Sequence, residues 1–475
     1  MTGTIPQGEN NNPEQHHRRG GSHAGLALML VALAVAVPAA AQQKTGPGVP
    51  TEESLTWQGI TLYGVVDIGI QYDTHMAPFT PFRPAASGNI VRQNSNSSPI
   101  GLTPSNMGQS RVGLQGTEPL GGDWAAIFQI ETFFNPQSGE LANSAKSLAM
   151  NNGLKLTQQT VGVDGSSAGQ AFQTSWVGVR SERLGDLTFG RQVTLLSEGM
   201  IKYDPNYLST AFGLLGASNT YAGGGSNEDN RLDSTIKYLL APGALHLGAL
   251  YKLNGSTGGS RTAFQANLGA GFDSASVDGY YSKVNTSITM SPLSAPQVAA
   301  LPVGFDATKS LAATVSDNTA YALMGSYKPG PLKLFGGYEY IKYENPATQL
   351  NPGFVNIGGY VLAVVNNTAY NNPKINHVYW AGIRYAVVPK LELTAAWYYV
   401  QQNAYGTKTQ AGCTTNAHNT CSGSLEAFSL NADYRFNVHF DVYAGAMYSG
   451  VHDGFAAGYL ATTNINPTVG IRYKF

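Results

Sequence analysis

INPTVGIRYKF, residues Ile465–Phe475, ends the chain, and its last eight positions alternate in character. Val469, Ile471, Tyr473 and Phe475 are apolar or aromatic, whereas Thr468, Gly470, Arg472 and Lys474 are small, polar or charged. Successive side chains of a strand point to opposite faces, so this strand has one greasy face and one wet, basic face. A soluble sandwich turns the greasy face to its core. A membrane barrel turns it to lipid and the other face to water. The rest of the chain must choose between the two.

Working backwards, sixteen segments of about ten residues alternate in this way between turn signals, from Thr56–Tyr72 to the terminal strand. In KLELTAAWYYV, Leu391, Leu393, Ala395, Trp397 and Tyr399 oppose Glu392, Thr394, Ala396 and Tyr398. In RLDSTIKYLL, Arg231, Asp233, Thr235 and Lys237 oppose Leu232, Ile236, Tyr238 and Leu240. In AFSLNADYRF, Asn431, Asp433 and Arg435 oppose Phe428, Leu430, Ala432, Tyr434 and Phe436. The polar faces carry both signs of charge, which need water and cannot form a sandwich core. Tyr and Trp gather near strand ends, as interfacial girdles do.

The connections alternate too. Short turns, such as Pro119–Gly122 and Pro242–Gly243, separate long polar loops near 73–107, 135–170, 192–229, 254–262, 286–315, 344–375, 403–424 and 450–464. Short turns on one rim, long loops on the other and an even strand count are the layout of outer-membrane barrels. The expected fold is therefore all-β: a sixteen-stranded antiparallel transmembrane β-barrel with short periplasmic turns and long extracellular loops. A cylinder of that size is too wide for side chains to fill, so it leaves an aqueous channel.

Composition agrees. Only 12% of the 475 residues are charged, about half the usual share, while Gly (56) and Tyr (26) are abundant. A net charge of -1 gives no case for a nucleic-acid partner. Arg18 and Arg19 precede the apolar run Leu26–Val37 and the small residues Ala39–Ala41, the order of a secretory signal. Residues 1–41 are expected to be a leader with an N-terminal extension, and 42–475 the barrel domain. Cys413 and Cys421, close together in an exported chain, are expected to close a small loop by a disulfide. His418 between them is too little for a metal site, and no cofactor is expected.

ITLYGVVDIGIQY, SRVGLQGTEPLGGDWAAIFQIE, SWVGVRSERLGDLTFGRQ and the closing VGIRYKF together resemble the Gram-negative general porins of beta-proteobacterial type, over the whole chain after the leader. The resemblance implies homotrimers in outer-membrane lipid and lipopolysaccharide, passing ions and small hydrophilic solutes. It makes Phe475 a signal read by the barrel-insertion machinery, and it implies a third loop, about Gln192 to Asn230, folded into the pore. The basic residues of the wall opposite that loop match Arg111, Arg191 and Arg231. Arg191 shares parity with Leu187 and Phe189, so a bulge near Gly190 is required to turn it inward. Enteric members carry an acid in the third loop where this chain has Ala211. Its remaining acids there are Glu198, Asp204, Glu228 and Asp229. The expected result is a mild anion preference, with Lys237, Glu131 and Asp233 also at the constriction. In the competing reading the arginines merely pair with Glu131 and Asp233.

Two other functions fit parts of the sequence. GSSAG, Gly165–Gly169, matches a nucleophile elbow, but it lies in a polar loop instead of a strand-turn-helix. Tyr63, Tyr280, Tyr398 and Tyr443 fall on polar faces and would suit a substrate-specific channel.

Overall fold

The computed structural model describes residues 55–80, 96–142, 144–160, 171–217, 230–254, 261–351, 356–357, 359–406, 420–456 and 459–475. The expected leader, GSSAG, Glu228, Asp229 and Cys413 lie outside these residues. Sixteen strands form the wall: β1 (Ile60–Tyr72), β2 (Arg111–Gly121), β3 (Trp124–Phe133), β4 (Thr174–Ser181), β5 (Gly185–Val193), β6 (Arg231–Leu240), β7 (Leu245–Lys252), β8 (Thr262–Gly271), β9 (Ala275–Ser291), β10 (Ser310–Tyr327), β11 (Leu332–Glu344), β12 (Lys374–Val388), β13 (Leu391–Gln402), β14 (Gly423–Arg435), β15 (Phe440–Asp453) and β16 (Thr468–Lys474). Each pairs antiparallel with its neighbours, and β16 closes the cylinder on β1 in the register Val65↔Lys474 to Gln71↔Thr468. Closure leaves no open edge, which a sheet in lipid requires.

Apolar side chains do face outward. Leu430 is 63% exposed, and Leu268, Leu323, Leu393 and Ile471 share that surface, while Asn431 and Thr394 on the opposite face are buried. A belt of rings runs around the outside: Phe264, Tyr281, Tyr321, Tyr340 and His377, with successive centroids 5.3 to 6.2 Å apart. Leu430→Arg would put a charge in hydrocarbon. It should cost about 2–4 kcal/mol of folding into vesicles. A matched free energy for wild type and variant would contradict the outward assignment.

Two strands run past the expected boundaries. Sequence placed a loop at 286–315, but β9 continues to Ser291 and β10 begins at Ser310. Their upper ends pair with each other, and Ser310–Thr314 also pairs in parallel with Tyr360–Asn366. Ile288, Met290, Leu311, Ala313 and Val315 there form an apolar cluster with Leu148 and Ala149 of the helix α1 (Ser144–Met150). The strands lengthen because this cluster gives their apolar side chains somewhere to go above the lipid. Helix α1 belongs to the loop between β3 and β4, so part of that loop packs against the ends of β9 and β10. Asn152 fastens it, donating to the carbonyl of Ser310 (2.8 Å) and accepting from the Leu293 amide (2.6 Å).

The third long loop enters the lumen. It opens with helix α2 (Leu195–Tyr203), capped by the Thr194 side chain, which accepts from the Ser197 amide (3.3 Å). Leu196, Met200, Tyr203, Leu214 and Leu215 pack on Ala320, Met324, Ile341, Val378, Trp380, Val400, Leu425 and Met447 of the wall. The inner face was expected to be wet all round. Over β10–β15 an apolar patch interrupts the polar residues of that face, because the loop covers it instead of water. Leu232, expected on the lipid side, is also fully buried inside with Leu195 and Leu250. Ser234, at φ +55, breaks the alternation of β6 between Leu232 and Thr235.

Candidate pore constriction

Beside the docked loop, residues of β1–β6 line a space open to solvent. Arg111 on β2 and Glu131 on β3 face each other there, Nε to Oε2 3.3 Å. The Arg231 guanidinium lies 4.0 Å from the other Glu131 oxygen and 4.5 Å above the Phe133 ring. Glu131 is held by a relay of donors. Trp176 Nε1 donates to Gln129 (3.2 Å), Gln129 to the Tyr63 hydroxyl (2.6 Å), and Tyr63 to Glu131 (3.1 Å). One carboxylate thus serves two guanidiniums, which leaves an excess of positive charge on this wall.

Arg191 joins them electrostatically, its charge acting on Arg231 together with that of Arg111. The inward turn that parity forbade comes from a bulge. Gly190 adopts φ +136, and the β5–β6 register slips between Gly190 and Gln192. A Cβ at Gly190 would collide with the Ser175 carbonyl, so glycine is needed here.

Among the described residues, the loop face opposite carries no acid. Ile201, Tyr207, Leu208 and Thr210 line it, and with the wall they enclose a cavity of about 670 Å³ that also touches Met107, Gln109, Asn230 and Arg472. Tyr207 and Leu208 have φ +50 and +56, the left-handed region, in consecutive non-glycine residues. Asp204 holds them so. Its carboxylate accepts from the Leu208 amide (2.7 Å) and its carbonyl from the Tyr207 amide (3.1 Å).

Asp204 was expected at the constriction, but it is fully buried between loop and wall, where the Tyr398 hydroxyl donates to it (2.6 Å). Burial pushes its carboxyl above the usual range, opposed by these donors. Lys237 and Glu198 pair with each other (2.6 Å), and Lys237 also donates to the Val193 carbonyl (3.1 Å), clamping the loop entry to β6. Asp233 pairs with Lys252 and with no arginine among the described residues. Ala211, where an acid was looked for, is buried at the loop tip and donates its amide to the Asn106 carbonyl (3.1 Å). Tyr443 is not a solute contact either: it is buried and donates to Asp67 (2.5 Å). Cys421 is disulfide-bonded.

Sequence reasoning missed Gln129, Trp176, Ile201, Tyr207 and Leu208. Gln129 and Trp176 share the inward parity of Glu131 and Thr174, so strand alternation could have found them. Nothing in a loop sequence marks which apolar residues turn outward from it.

A family model described as Gram-negative porin matches residues 26–454. The chain belongs to this porin family. Curated relatives of this porin include an outer membrane porin protein of Bordetella pertussis, 30% identical over 181 residues, 38% of each chain. Outer membrane porin protein 32 of Delftia acidovorans is 25% identical over 187 residues, 39% of this chain and 41% of that one. The match therefore spans about two fifths of the length of either relative. The anion-selective porin from Comamonas acidovorans superposes with a TM-score of 0.57 at 16% identity, covering 88% of this chain and 99% of that one. The trimer form of OmpT from Vibrio cholerae gives 0.53 at 14%, again over 88% and 99%. At such identity the likeness of the two structures is one of fold.

Proposed function

We propose that this porin is an outer-membrane channel through which ions and small hydrophilic solutes diffuse, with a mild preference for anions, and that it catalyses no reaction. The observation that carries the preference is the charge count at the narrowing: Arg111 and Arg231 against Glu131, facing a loop surface whose described residues there are uncharged. In a confined, water-filled passage such an imbalance raises the local concentration of the opposite ion. A solved relative of the same fold is itself described as anion-selective, which favours the same reading. Homotrimers in outer-membrane lipid and lipopolysaccharide are part of the proposal, as is recognition of Phe475 during insertion. Phe475 extends the β16 seam, exchanging backbone hydrogen bonds with Gly64 (2.9 and 3.1 Å).

A potassium chloride gradient across a planar bilayer tests it. The wild-type reversal potential should report chloride as the more permeant ion. Arg111→Ala and Arg231→Ala should each move it toward potassium, lowering the chloride-to-potassium permeability ratio by about twofold. An unmoved potential would make these arginines structural partners of Glu131. The substrate-specific alternative is weakened because Tyr398 and Tyr443 are both buried in hydrogen bonds to carboxylates.

A further inference from the structure

Ile201 and Tyr207 are 41% and 47% exposed, yet they point into a passage meant for water. Large apolar side chains usually leave such a surface. Here the backbone holds Tyr207, with Leu208 beside it, in that surface. Tyr207 and Leu208 both take the left-handed conformation, which is unfavourable for non-glycine residues and persists only when the surroundings impose it. Those surroundings are in place: Asp204 fixes both amides, and the Arg384 guanidinium stacks 3.2 Å from the Tyr207 ring. Across the same 670 Å³ cavity stand Arg111 and Arg231 with their shared carboxylate. The passage is therefore two-faced, cationic on the wall and greasy on the loop.

Resting on the channel reading above, we infer that the constriction selects amphipathic organic monoanions, a carboxylate on an aromatic or branched apolar body, over compact anions. The carboxylate meets Arg111 and Arg231 while the body lies on Ile201, Tyr207 and Leu208. Inorganic anions use only the first face, and neutral amphiphiles only the second.

Block of the chloride current in a planar bilayer reads this directly, with benzoate, acetate and benzyl alcohol added to the wild-type porin. Benzoate should half-block at a concentration about tenfold below that of acetate, the discrimination that a half-buried ring supplies. Benzyl alcohol should not block. Equal benzoate and acetate block would overturn the inference, as would benzyl alcohol blocking as well as benzoate. In the double variant Ile201→Thr, Leu208→Asn, benzoate should fall back to the level of acetate; asparagine tolerates the left-handed backbone, so the loop path is kept. Retained discrimination would also overturn it. Absence of any potassium chloride current in the wild type, before an organic acid is added, would instead remove the channel reading itself.

Discussion

Asp204→Ala is expected to raise single-channel conductance on the order of twofold and to make the open current noisy. The carboxylate is the joint between loop and wall: Tyr398, the Leu208 amide and the charge of Arg384 all converge on it. Removing one member of a buried, charged network leaves the others unpaired and costs about 3–5 kcal/mol. The barrel ladder does not use this carboxylate, so the loss falls on loop docking and not on the cylinder. Trp380→Ala should act in the same direction. Its indole donates to the Tyr203 carbonyl (3.1 Å) and its ring lies in the apolar contact beneath the loop. Conductance recorded at high salt, where charge effects are screened, separates a wider passage from an altered field. Unchanged conductance in both variants would mean that the apolar packing of Leu196, Met200, Leu214 and Leu215 alone keeps the loop in place.

The second large effect concerns closure. Arg472 on β16 contacts Asp441 (2.9 Å) and Asp433 (3.2 Å), and Lys474 contacts Asp441 (2.7 Å). Asp441 is fully buried. Arg472→Leu leaves Asp441 with Lys474 alone and Asp433 with only the more distant Arg435 (3.9 Å), and about 3–5 kcal/mol of stability should go with it. The readout is the temperature at which the detergent-solubilised barrel loses its compact mobility on electrophoresis, which should drop markedly. Lys146→Ala, which breaks an exposed pair with Glu140, should change it little, since such pairs contribute about 0–1 kcal/mol. Equal behaviour of the two variants would show that the seam is held by its backbone ladder alone.

The barrel was legible because period-two alternation is a local signal repeated in nearly every strand, though the register of β16 against β1 was not. Even Arg191 was recoverable, since its wrong parity demanded a bulge and Gly190 supplied the conformation. What could not be read was any pairing between segments far apart in sequence. Leu196, Met200 and Leu214 looked like scattered apolar residues of a loop until their partners on β10–β15 were known. The inward apolar residues of those strands, such as Val378 and Val400, carry in their own sequence no mark of the loop that covers them. Asp204 was misplaced for the same reason: as an acid in the third loop it belonged to the constriction, and only Tyr398, almost two hundred residues on, makes it a joint instead. The second face of the passage was hidden because backbone dihedrals at Tyr207 and Leu208, not their identities, turn them into it.

The helix-bearing span fastened by Asn152 ties the segment after β3 to the ends of β9 and β10 by contacts of its own. The rim and the waist are thus braced independently, and freeing the loop inside the cylinder leaves this outer brace in place.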